Sequence, residues 1–156
     1  MMILLKLASY IMGVEMMLNQ WVSFASFALV LAGMLMAVTA TRKTEGGFIS
    51  FGRAFLVAFS AAAISTLLVL LLDLVLGTLV DPQLNEKILR VTKQSWEDSG
   101  MLSLIPKAEL EGVLAQLKWT LQPMGQSVSW LLGLVFWSIV ALIVGAIMKR
   151  IDPQQF

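Results

Sequence analysis

The sequence predicts an all-α integral membrane protein with four transmembrane helices and an extracytoplasmic amphipathic helical hairpin between the third and fourth. Three observations predict it. The chain has 156 residues, of which 58% are hydrophobic and 13% charged. Soluble domains run roughly 45–50% apolar and about 25% charged, so this chain lacks the charge to cover a soluble surface. Several apolar runs reach the roughly 20 residues needed to cross about 30 Å of hydrocarbon. The segment between the last two runs is polar, with apolar residues at helical spacing. Residues 1–156 are read as a single membrane domain.

Residues 2–18 form the first expected span. Lys6 and Glu15 lie near its two ends, where long charged side chains reach the interface. A secretory signal peptide is one alternative, opposed by the missing basic stretch before the apolar run and by the lack of a small-x-small cleavage site. An in-plane amphipathic helix is another. Residues 21–40 hold no charge and form the second span. Residues 55–80 form the third, with one charge, Asp73. Residues 127–148 are uncharged and form the fourth.

Between the second and third spans, Gly46 and Gly47 are helix stop signals and Ser50 is a suitable N-cap for a helix opening at Phe51. Residues 81–126 form the insert. Asp81-Pro82 ends the third span, and Leu84, Ile88 and Val91 recur at helical spacing. Ser99-Gly100 punctuates, and Pro106 suits the first turn of a second helix. Leu110, Val113, Leu114, Leu117 and Leu121 form an apolar stripe that Gln122-Pro123-Met124-Gly125 stops. Such a stripe serves a partner or lipid headgroups, or caps its own bundle. The cap is preferred, since an amphipathic helix exists to bury one face.

Charge orients the bundle. Residues 41–53 hold Arg42, Lys43 and Arg53 against Glu45, and residues 149–156 hold Lys149 and Arg150 against Asp152. Residues 81–126 hold five basic and six acidic residues. The denser basic segments are read as cytoplasmic, which puts both termini inside and the insert outside. Trp21 and Trp130 then fall at outer span ends, as in an aromatic belt.

Composition also excludes chemistry. With no Cys there is no thiolate nucleophile, disulfide or iron–sulfur ligand set, and with no His the commonest general base and metal ligand is missing. A net charge of +1 leaves no nucleic-acid footprint. The ten Met residues lie in apolar runs and read as packing. No cofactor is expected, and no internal or inverted repeat is visible.

The tract Gly46-Gly47-Phe48-Ile49-Ser50-Phe51-Gly52-Arg53-Ala54-Phe55, preceded by Arg42 and Lys43, resembles the domain of unknown function 4199 family. Val80-Asp81-Pro82 and the closing apolar span before Lys149 and Arg150 are similar to it as well. The resemblance implies a small bacterial inner-membrane protein of Bacteroidetes type, with four spans and an external helical insert. It implies no activity and carries over no functional residue.

Three sets of residues are candidates. Asp73 is the one acid deep in a span, on a small and polar stripe with Ala58, Ala62, Thr66 and Gly77. Intramembrane carboxylates mark ion or proton pathways. The preferred alternative places Asp73 two turns from Asp81, hydrogen-bonded near the outer interface. Gly46, Gly47 and Arg53, with Arg42 and Lys43, could meet a phosphate or a partner. A tight turn facing inner-leaflet headgroups is the preferred alternative. Gly33 with Ala37, Ala54 with Ala58 and Ala62, and Ala141 with Gly145 allow close helix approach. Glu109 and Glu111, two apart on a helix, point away from each other.

The expected function is that of a non-catalytic accessory or structural subunit of a larger inner-membrane complex. It would sit among membrane lipids with an integral membrane protein partner and no nucleic acid, and homo-oligomers are allowed. The first alternative is a small ion or solute transporter or channel using Asp73. The second is a helper to a lipid or lipid-linked-sugar enzyme.

Overall fold

A computed structural model describes residues 1–150. Asp152 therefore lies outside the described residues. The helices, in order, are α1 (Met2–Met12), α2 (Val14–Met17), α3 (Gln20–Thr44), α4 (Phe51–Val75), α5 (Leu84–Asp98), α6 (Met101–Leu104), α7 (Lys107–Thr120) and α8 (Pro123–Met148). A π-helical turn, Leu76–Val80, extends α4. The described residues contain no β-strand.

Three of the described helices are long and apolar enough to cross a membrane: Gln20–Thr44, Phe51–Val80 and Pro123–Met148. The protein is thus an all-α membrane protein by its structure as well as its composition. A fourth crossing is not shown. Residues 2–18 break at Gly13, whose φ of 111° is a conformation that glycine adopts without Cβ strain. The 11 residues of α1 span about 16 Å, half of a hydrocarbon core. Met2 packs against the core and shares a cavity wall with Val30 and Trp137, near the middles of α3 and α8. Met12 lies beside Lys87 and Arg90 of α5. α1 therefore covers only the half of the bundle nearest the insert, and Met2 sits at mid-height rather than at the basic end.

Local chemistry sets the helix ends. Asn19 caps α3, its Oδ1 accepting the Trp21 N–H (2.9 Å). Ser50 caps α4, its Oγ accepting the Arg53 N–H (3.4 Å). α3 stops where Gly46 turns to φ 76°, and the Gly47 N–H donates back to the Arg42 carbonyl (2.8 Å). That bond closes a glycine C-cap. The α4 π turn closes with the Asp81 N–H donating to the Leu76 carbonyl (2.8 Å). Pro123 opens α8, so the tract expected only to stop α7 also starts the last span.

α4 is the hub, packed most extensively against α8 and next against α3. Its contact face is Ala54, Ala58 and Ala62, all fully buried. Val30, Met34 and Val38 of α3 and Ala141 and Val144 of α8 complete the core. Lipid is as apolar as the side chains, so helices associate through close packing of small residues. Gly145 shows how close: a Cβ there would lie 3.1 Å from the Phe55 backbone nitrogen. Gly33 differs, with open space around it. α3 presents the Val30–Met34–Val38 row to the core, and Ala37 is half-buried.

At one end of the bundle, Ile49 and Arg150 pair in antiparallel fashion through two 2.9 Å backbone hydrogen bonds. The buried Ile49 and this pairing fasten the end of α8 to the α3–α4 loop. Arg42, Lys43, Arg53, Lys149 and Arg150 are thereby gathered at one end.

Candidate functional site

The site lies near the opposite end, where α4 passes between α1 and α8. Thr66 and Asp73 are seven residues apart, so two turns of helix place them on one face, continuing the Ala58–Ala62 line. Asp73 is not alone. The Lys6 ammonium of α1 lies 3.2 Å from its Oδ1, and both side chains remain a little over a quarter exposed (27% and 28%). A charge in hydrocarbon is tolerated when paired. Lys6, expected to snorkel to an interface, instead supplies that pair. Ser9, one turn on, is buried and donates its hydroxyl to the Lys6 carbonyl (2.8 Å).

Thr66 donates its hydroxyl to the Ala62 carbonyl (2.8 Å) and accepts the Trp130 indole N–H (3.1 Å). Trp130 was expected at a lipid interface. Its polar edge turns inward instead and ties α8 to α4, because an indole N–H in apolar surroundings seeks an acceptor. Trp21 remains 78% exposed, beside Phe24, as a belt residue would be.

Lys6, Thr66, Asp73 and Trp130 line a cavity of about 450 Å³ that also receives Asn85 of α5 and Gln126 of α8. Gln126 donates its Nε2 to the Leu121 carbonyl (2.8 Å), while its Oε1 is buried with no hydrogen-bonding partner. Close approach of α7 to α8 places Gln126 there. Gly125 is buried, and a Cβ on it would collide with the Trp119 carbonyl oxygen. Gly77 sits under Asn85, where a Cβ would just reach contact with the amide at 3.4 Å.

The second candidate set stays at the basic end. Arg53 binds Glu45 through Nε (3.0 Å), an exposed ion pair that contributes little to stability. Arg42 and Lys43 occupy the last turn of α3, where cations complement the helix dipole. Gly46 and Gly47 serve the turn. These contacts are local, and the two candidate sets lie at opposite ends. Asp81 also has local work: its carboxylate accepts the Gln83 N–H (3.2 Å) and pairs with Lys87 (2.7 Å), fixing the entry to α5. Among the described residues no group of three or more acidic, His or Cys side chains could hold a metal ion.

Lys6, Asn85 and Gln126 were missed as site residues. A signal for Lys6 was present, since the expected spans carried opposite charges and intramembrane charges seek partners. Asn85 and Gln126 carried no such signal, because only the tertiary fold brings the insert against α4 and α8.

The description of one family, Protein of unknown function (DUF4199), matches residues 1–150. The chain belongs to this family. For a DUF4199 chain, the distinctive Gly46–Phe55 tract now has a physical account: a glycine C-cap, a serine N-cap and the strand-like pairing of Ile49. No curated protein and no solved structure matches the chain.

Proposed function

We propose that this protein is a non-catalytic accessory or structural subunit of a larger bacterial inner-membrane assembly. The observation that carries the reading is the insert. Leu110, Val113, Leu114, Leu117 and Leu121 are each only half-buried. Beside them an open apolar cleft of about 550 Å³ runs between Trp96 of α5 and Val113 and Leu117 of α7. A helix that merely capped its own bundle would bury this stripe. The exposed remainder suits an integral membrane partner. Five basic residues at the other end favour a cytoplasmic placement for it by the positive-inside rule, with the insert outside.

The test is gentle extraction of the native protein, size separation and mass spectrometry. A stoichiometric partner, lost in Leu117→Glu, supports the reading. A lone monomer or homo-oligomer overturns it. The cavity at Lys6 and Asp73 favours a second reading, a small solute or ion transporter. Flux through reconstituted protein that is abolished in Asp73→Asn supports this second reading, and absence of flux removes it.

A further inference from the structure

We propose that the Lys6–Asp73 cavity binds the head of a zwitterionic aminophospholipid, with its phosphate on Lys6 and its ammonium on Asp73 and Gln126 Oε1. The inference goes beyond the accessory reading and stands with or without a protein partner.

Depth comes first. The helix Phe51–Val80 has 30 residues and is about 45 Å long, the thickness of a bilayer with its headgroups. Asp73 lies seven residues before its end, about 10 Å in. That is the level at which headgroups give way to acyl chains.

Charge comes second. The cavity offers one cation and one anion, 3.2 Å apart and both partly exposed. An anionic ligand would satisfy Lys6 and strand Asp73, and a cationic ligand would do the reverse. A zwitterion meets both without leaving a charge unpaired, and unpaired charge at this depth is costly. The acceptor set goes further. Gln126 Oε1 is buried without a donor, and the same cavity holds Asn85. A primary ammonium has N–H groups to give them, whereas a quaternary ammonium has none.

Shape comes third. About 450 Å³ falls within the range of ligand cavities, and most of the wall is apolar, including Val69, Leu84 and Ile88. That composition suits a head followed by the start of its acyl chains.

The experiment is native mass spectrometry of the delipidated full chain. It is offered phosphatidylethanolamine, phosphatidylcholine and phosphatidylglycerol of equal chain length. We expect phosphatidylethanolamine to be retained about tenfold over each of the other two, the scale of one charge-assisted hydrogen bond. Asp73→Asn should abolish the preference. Gln126→Leu gives up only one bond to the Leu121 carbonyl, so it keeps the question answerable should Asp73→Asn not fold. It should reduce the preference over phosphatidylcholine several-fold. Equal retention of all three lipids overturns the proposal. So does preference for phosphatidylglycerol, or an unchanged preference in Gln126→Leu.

Discussion

Asp73 has a partner, and the partner comes from α1, a helix of 11 residues. The Lys6–Asp73 pair and the Trp130–Thr66 bond are the polar ties in an otherwise apolar bundle. Hydrogen bonds between helices in membranes contribute about 0.6 kcal/mol on average. Trp130→Phe should therefore cost about 0.6 kcal/mol in a detergent-unfolding titration, with the fold intact. A larger loss would mean that the indole also supports the cavity wall. For the ion pair, Asp73→Asn should free α1 from α4. Hydrogen exchange across residues 2–12 should accelerate at least several-fold, while α8 stays protected. Unchanged exchange in α1 would show that Met2 and Ser9 hold the helix without Lys6. Asp73 was legible from sequence as an intramembrane acid and Lys6 as an opposite charge in another expected span, but their pairing was not, because 67 positions separate the two and only packing joins them.

Among the elements, small residues divide into those that contact a neighbour and those that do not. Ala54, Ala58, Ala62, Ala141 and Gly145 were expected to allow close approach, and all are buried. Gly33 shares the spacing but faces open space. The two glycines should respond oppositely to one substitution. Gly145→Leu should press on the Phe55 backbone and destabilise by about 1–3 kcal/mol, whereas Gly33→Leu should be close to neutral. Equal effects would contradict the α4–α8 approach described here. Gly125→Ala should be worse than either, because a backbone carbonyl is a hard obstacle. Loss of protease resistance in α7 is its readout. The helix caps at Ser50 and Gly46 were legible because the chemistry is local. The break at Gly13 was not, because a single glycine in an apolar run is ambiguous until the chain on either side is placed.

For the molecule as a whole, one end collects Arg42, Lys43, Arg53, Lys149 and Arg150, and the insert occupies the other. The protein has no Cys, so single cysteines report orientation cleanly. A membrane-impermeant maleimide should label Ser103→Cys in intact cells and Thr44→Cys only after permeabilisation. The reverse pattern would overturn the proposed orientation. Met12→Cys should label like Ser103→Cys, because α1 ends beside α5. Labelling of Met2→Cys only after permeabilisation would instead restore a fourth crossing.

What the sequence determined by itself is what depends on composition and near neighbours. The membrane class follows from too few charges, the three long spans from long apolar runs, the caps from Ser50 and the Gly46-Gly47 pair, and the family from the Gly46–Phe55 tract. What only the tertiary structure decided depends on residues far apart in the chain. It broke residues 2–18 at Gly13 into two helices, turned the Trp130 indole N–H to Thr66, gave Asp73 to Lys6, and joined Asn85 and Gln126 to one cavity. The physical reason is the same in each case. In hydrocarbon a polar or charged side chain is costly without a partner, and which partner it meets is set by helix packing rather than by sequence spacing.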